Sequence, residues 1–178
     1  MRKLLLAFLL LLGFAQAQNN NYGNETIFSF DIWSGLYVKA GVNFMNVGDT
    51  SVYMYEAAIA PVFHDTYSLG YTYQQGTTLA QSTITQHAIT ARTNTNSFEI
   101  IHSNFGVSTG YGIISQGSSY DDYAFLNITF DTMMNILLDL KLVATVGYEF
   151  TNGVASAGMT DENFSGLILG VALVYGIY

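Results

Sequence analysis

The sequence predicts an all-β fold, a single eight-stranded antiparallel up-and-down barrel. Three observations point to it. Apolar residues recur with period two along most of the chain, the spacing at which strand side chains alternate faces. Only 10% of the 178 residues are charged while 15% are aromatic, against about 25% charged in an ordinary soluble domain. The connections between the alternating runs are by turns short and long, as in barrels whose two ends face different compartments.

Composition first removes several classes. So many aromatics with so few charges exclude a disordered chain. The absence of cysteine excludes a disulfide framework and a thiolate metal site. Five Lys and Arg against 13 Asp and Glu leave little to neutralise phosphates, so no nucleic-acid partner is expected.

The elements follow in chain order. Arg2 and Lys3 precede the apolar run Leu4 to Phe14, and Ala15-Gln16-Ala17 follows. A positive head, a short apolar stretch and a small-x-small site predict a signal peptide over 1–17, cleaved after Ala17. The run falls short of the ~20 residues of a membrane helix. Residues 18–34 form an N-terminal periplasmic or interfacial segment. It is Asn-rich to Asn24, then carries Ile27, Phe28, Phe30, Ile32 and Trp33, the last suited to headgroup level. The barrel is expected over 35–178.

Its strands are expected at 36–44, 52–63, 66–74, 82–93, 97–107, 123–131, 138–150 and 165–178. In the first, Leu36, Val38, Ala40, Val42 and Phe44 oppose Tyr37, Lys39, Gly41 and Asn43. In the second, Tyr53, Tyr55, Ala57, Ile59, Pro61 and Phe63 oppose Val52, Met54, Glu56, Ala58 and Ala60. In the third, Tyr67, Leu69, Tyr71 and Tyr73 oppose Ser68, Gly70, Thr72 and Gln74. Runs 82–93 and 97–107 are rich in Thr, Ser and Asn, and their inward face is ambiguous. In the sixth, Ala124, Leu126, Ile128 and Phe130 alternate with Tyr123, Phe125, Asn127, Thr129 and Asp131. The seventh sets Leu140, Leu142, Ala144, Val146, Tyr148 and Phe150 against Asp139, Lys141, Val143, Thr145 and Glu149. The eighth sets Leu167, Leu169, Val171, Leu173 and Tyr175 against Gly166, Ile168, Gly170, Ala172, Val174 and Gly176.

Between these runs, 45–51, 75–81, 108–122 and 151–164 read as long loops, and 64–65, 94–96 and 132–137 as short turns. The faces then decide the solvent. Lys39, Glu56, Arg92, Asp131, Asp139, Lys141 and Glu149 share their faces mainly with small residues, which a narrow eight-stranded interior accepts. The opposite faces carry the Leu, Val, Tyr and Phe bulk. That polarity belongs to a barrel in lipid, with charge inside. Tyr37, Tyr53, Phe63, Tyr67, Tyr73, Tyr148, Phe150, Tyr175 and Tyr178 are placed near strand ends as aromatic girdles.

The leader, the eight alternating runs and the last strand from Gly166 to Tyr178 resemble the small bacterial outer-membrane barrels of the OmpA-domain and OmpX type. The resemblance implies an outer-membrane location with both termini periplasmic. It also implies that Tyr178 is the terminal aromatic that the barrel insertion machinery reads.

Chemistry is sparse. His102-Ser103-Asn104 is loosely similar to the His-x-Ser-Asn of lipid A deacylases, but adjacent strand residues point to opposite faces, which disfavours a Ser–His hydrogen bond. His64-Asp65 reads as a turn, and His64, His87 and His102 show no metal-ligand spacing. No cofactor, metal or catalytic residue is expected. Lys39, Glu56, Arg92, Asp139, Lys141 and Glu149 are expected to form a polar network in the lumen. Tyr111, Tyr120, Asp121 and Asp122 of the 108–122 loop are the candidates for contact. The function expected is a non-catalytic monomeric barrel with a structural or surface-interaction role. Its partners would be outer-membrane lipid and lipopolysaccharide. A narrow channel and a lipid A-modifying acyl enzyme are the alternatives.

Overall fold

A computed structural model describes residues 33–47, 50–64, 66–78, 81–96, 101–137, 139–153 and 165–177. The expected signal peptide over 1–17, most of the 18–34 segment and Tyr178 lie outside them. Eight strands run in chain order: β1 Trp33–Val47, β2 Thr50–Phe63, β3 Tyr67–Thr78, β4 Thr83–Asn96, β5 Ile101–Gln116, β6 Ser119–Asn135, β7 Leu140–Asn152 and β8 Gly166–Ile177. Each pairs with its sequence neighbour, and β8 returns to β1 in an antiparallel ladder from Leu36↔Ile177 to Asn46↔Leu167. The sheet is closed, so none of its strands is an edge.

The expected face assignments are found along β1, β2, β3, β6, β7 and β8. Tyr37, Lys39 and Asn43 turn inward while Val38 and Val42 face out; Val143 and Glu149 turn inward while Leu142 and Val146 face out. The two ambiguous runs now have a parity. On β4, Ile84, Gln86, Ala88, Thr90 and Arg92 are buried, and on β5 so are Asn104, Ser108 and Ile114. The hydroxyl-rich residues of these runs divide between the faces, which blurred the contrast in sequence.

Two expectations are corrected. The strands are longer than the alternating runs, so the long–short rhythm of connections disappears; only 153–165, between β7 and β8, is long. The 108–122 stretch is not a loop. It is the far half of the β5–β6 hairpin, which turns at Gly117 and Ser118 with Gln116 opposite Ser119. Gly117 takes the turn at φ 61°, a conformation costly for other residues.

The glycines that suggested a loop are instead required by a crowded interior. A Cβ on Gly112 would stand 2.2 Å from the Tyr123 ring. Tyr37 is corrected too: it is an interior residue, 1% exposed, and not part of a girdle.

The outer wall is apolar from strand to strand, with Ile59, Leu69, Ile89, Phe105, Ile128, Val146, Leu169 and Val171 among its exposed side chains. An apolar outside around a charged inside inverts the order of a water-soluble barrel.

Two outcomes follow. Val146→Arg, on that wall, is expected to cost about 2–4 kcal/mol in lipid, while Tyr120→Arg at the hairpin tip costs at most about 1 kcal/mol; denaturant titration of folding into vesicles measures both. Gly112→Ala is expected to lower stability by about 1–3 kcal/mol through overpacking. Pairing it with Tyr123→Ala in the same titration should recover most of what the added methyl costs.

Candidate functional site

The lumen is built in three layers. At the end where β1 begins and β8 finishes, Tyr37, Ala60, Val62, Met133, Val143, Ala172 and Val174 form one buried apolar cluster. At the far end, Met45, Val52, Met54, Ile84, Ala88, Ile114, Tyr123, Phe125 and Ile168 form a second. Between them lies a polar waist. Alternation explains the layering: every inward position at mid-strand is one that the pleat turns from lipid.

Lys39 is the centre of the waist. Its Nζ stands 3.2 Å from Glu56 Oε1 and 3.7 Å from Asp131 Oδ2, and it donates to Thr145 Oγ1 at 3.3 Å. Thr145 Oγ1 donates in turn to Asp131 Oδ1 at 2.6 Å. Glu56 also accepts from Asn43 Nδ2 at 2.5 Å and lies 3.8 Å from Arg92 Nη2. The Arg92 guanidinium sits over the Tyr37 ring, 4.9 Å from its centroid. Two cations thus meet two carboxylates, and the Thr145 hydroxyl and Asn43 amide add hydrogen bonds to Lys39, Asp131 and Glu56.

A second group surrounds Glu149. Gln86 Nε2 donates to both carboxylate oxygens, at 2.8 and 3.0 Å, and to the Tyr123 hydroxyl at 2.9 Å. Hydroxyls of Thr72, Thr90 and Ser108 join across β3, β4 and β5 at 2.7 and 2.8 Å. The free space in the waist is about 20 Å³, room for roughly one water.

Of the six residues expected in the network, Lys39, Glu56 and Arg92 are brought together. Glu149 belongs to the separate group, and Lys141 faces inward near the terminal end, with Asp139 its charge neighbour. Asp139 itself is corrected. It is exposed in the β6–β7 turn, because β7 starts at Leu140 and the Asp139 carbonyl accepts from Gly176 N at 3.0 Å. Asp131, read as a mid-strand charge, is a full member of the cluster. Asn43, Gln86 and Thr145 were missed, although their inward parity was the available signal on β1 and β7.

Among the contact candidates, Tyr111 lies on the outer wall of β5, and Tyr120, Asp121 and Asp122 on the far end of β6. The β6–β7 register begins only at Ala124↔Asn152, so these three are carried beyond it by pairing with β5. His102 makes a 3.4 Å contact with Asn135, and the alternation of β5 separates it from Ser103. No group of His, Asp and Glu that could hold a metal occurs among the described residues.

The arrangement defines a closed outer-membrane type of barrel with a filled interior. No protein-family model and no curated protein matches the sequence. Solved structures do. The N-terminal barrel domain of Pseudomonas aeruginosa OprF superposes with a TM-score of 0.60 at 10% identity, covering 82% of this chain and 98% of that one. Neisserial surface protein A gives 0.60 at 10% identity over 79% and 95% of the two chains. Ail, the attachment invasion locus protein of Yersinia pestis, solved with the heparin analogue sucrose octasulfate, gives 0.52 at 11% over 80% and 97%. The fold is therefore that of the small eight-stranded outer-membrane barrels.

The central cluster predicts an asymmetry. Lys39→Met leaves Asp131 without its cation and Glu56 with Arg92 alone, and is expected to cost about 3–5 kcal/mol. Lys39→Met with Asp131→Asn removes the carboxylate left without a cation, keeps the Glu56–Arg92 pair, and should recover part of it. Urea unfolding from lipid vesicles reads the difference.

Proposed function

We propose that this chain is a non-catalytic barrel of the bacterial outer membrane. In this reading a leader over 1–17 exports it, both termini are periplasmic, and Tyr178 serves the insertion machinery. It acts as a structural and surface-contact element, not as a conduit. The observation that carries the reading is the filled lumen. Apolar clusters close both ends of a waist with about 20 Å³ of free space, so a hydrated ion has no continuous path. What can meet a partner is then the outside: the lipid-facing wall and the projecting β5–β6 hairpin.

On that hairpin Tyr120 is 78% exposed, beside Asp121 and Asp122. An amphipathic aromatic with two acids suits contact with a basic or hydroxylated surface. Ail was solved with a sulfated sugar analogue, which gives a precedent for surface binding on this fold. The acidic tip here favours cationic groups instead.

Two measurements test the proposal. The purified chain should migrate differently in detergent gels before and after heating, and should give no discrete conductance steps in planar bilayers. Stable channel openings would reject the filled-lumen reading. A changed lipid A mass in cells expressing the chain, abolished by His102→Ala or Ser103→Ala, would replace it with an enzyme.

A further inference from the structure

The outer wall is not uniform around the barrel. On β7, β8 and β1 the outward side chains are apolar or aromatic, among them Leu142, Val146, Leu169, Val171 and Val42 with Tyr148, Phe150 and Tyr175. Across β3, β4 and β5 an imidazole interrupts the belt. His87 faces out beside Tyr73 on one neighbour and Tyr111 on the other, directly opposite both in the ladders. Its ring stacks on Tyr111 at 5.0 Å and 21°, and meets Tyr73 edge-on at 5.3 Å. The Tyr71 hydroxyl bonds Nδ1. Three tyrosines from two strands thus fix one imidazole where hydrocarbon alone would penalise it.

From this geometry we infer that the His87 face is a seat for a phosphorylated glycolipid of the outer leaflet, of the lipid A kind; this rests on the outer-membrane reading above. Three features fit that ligand. With the Tyr71 hydroxyl assigned as the donor to Nδ1, the ring proton sits on Nε2. It presents a donor to a phosphate or sugar oxygen. Among the described residues Lys39, Arg92 and Lys141 all turn inward, so His87 is the basic group this wall can offer an anion.

The same three strands then turn apolar toward the terminal end. Leu69 follows Tyr71, Ile89 follows His87, and Val107 and Phe105 precede Tyr111. A polar, aromatic upper part over an apolar lower part matches a headgroup above its acyl chains. Beside it, an open groove of about 510 Å³ runs between Tyr53 and Tyr55 of β2 and Gln75 and Thr77 of β3. A second copy fits less well, because a two-fold contact would set one His87 face against another, base against base. Asp122 stands outward across from Ile113, beyond Tyr111, so an anionic group is favoured at the His87 level and not at the rim.

The test uses the full chain folded in detergent, with folding confirmed by heat-modifiable migration. Native mass spectrometry then counts bound lipid during titration with bisphosphorylated lipid A, dephosphorylated lipid A or phosphatidylglycerol. Lipid A should bind about tenfold more tightly than dephosphorylated lipid A, a difference that one charge-assisted hydrogen bond supplies, and more tightly than phosphatidylglycerol, which offers a phosphate without the sugar. His87→Leu and His87→Gln should each abolish that preference, and Leu169→Ala on the opposite wall should keep it. Equal binding of lipid A and phosphatidylglycerol would overturn the glycolipid assignment. An unchanged preference in both His87 variants would overturn the site, as would a lipid-independent dimer lost on His87→Leu. A wild-type chain that never becomes heat-modifiable would instead reject the outer-membrane reading on which the site rests.

Discussion

Closure with eight strands is the constraint on which the rest depends. It satisfies every strand's backbone without an edge, but the tube it makes is only wide enough for side chains to fill. Each inward residue therefore has to be either small or partnered. Lys39 resolves most of that requirement at one point, by touching Glu56, Asp131 and Thr145 from a single position on β1. The glycines resolve the rest. Gly112 yields its volume to Tyr123, and Gly110 lies so close to β4 that a Cβ would meet the His87 carbonyl at 1.8 Å.

The layering follows from the same constraint. Charged pairs are tolerable inside only where their remaining hydrogen-bonding capacity is met, and the hydroxyl and amide residues that meet it lie at mid-strand. Above and below, the lumen is filled by Met, Ile, Val and Ala with a few aromatics. The ion pairs of the waist are themselves almost fully buried, with Lys39, Glu56, Arg92 and Asp131 each at most 6% exposed. The layered packing leaves about 20 Å³ of free space in the waist, so the surfaces open to a larger molecule are the wall and the hairpins.

Fold class, strand number and the parity of six strands were legible in the sequence, because in those strands bulk and charge fall on opposite faces. Runs 82–93 and 97–107 were not, since Thr, Ser and Asn occupy both faces and the pattern loses contrast. The error at 108–122 has a related cause. Gly110 and Gly112 read as turn chemistry, yet they lie on the inward face of β5, where a Cβ would meet the His87 carbonyl and the Tyr123 ring. Misplacing that segment also created the apparent rhythm of loops. Asp139 failed by position alone: with the run started two residues before Leu140, its parity counted it as interior.

The chemistry of the site was legible only in part, because residue type marks charge but not partnership. Lys39, Glu56 and Arg92 stand out as rare mid-strand charges. Nothing in the sequence separates Glu149, which is served by Gln86, from the acids that meet Lys39; that division arises from the order in which strands close. His87 shows the converse. It looks like an isolated polar residue in a Thr-rich run, and its meaning depends on Tyr73 and Tyr111 being its ladder neighbours. Closure and register, not local pattern, bring one imidazole and three tyrosines together on an otherwise apolar and aromatic wall. A barrel shut on the inside can still be selective on the outside, since the pleat that fills the lumen also fixes what each strand offers to lipid.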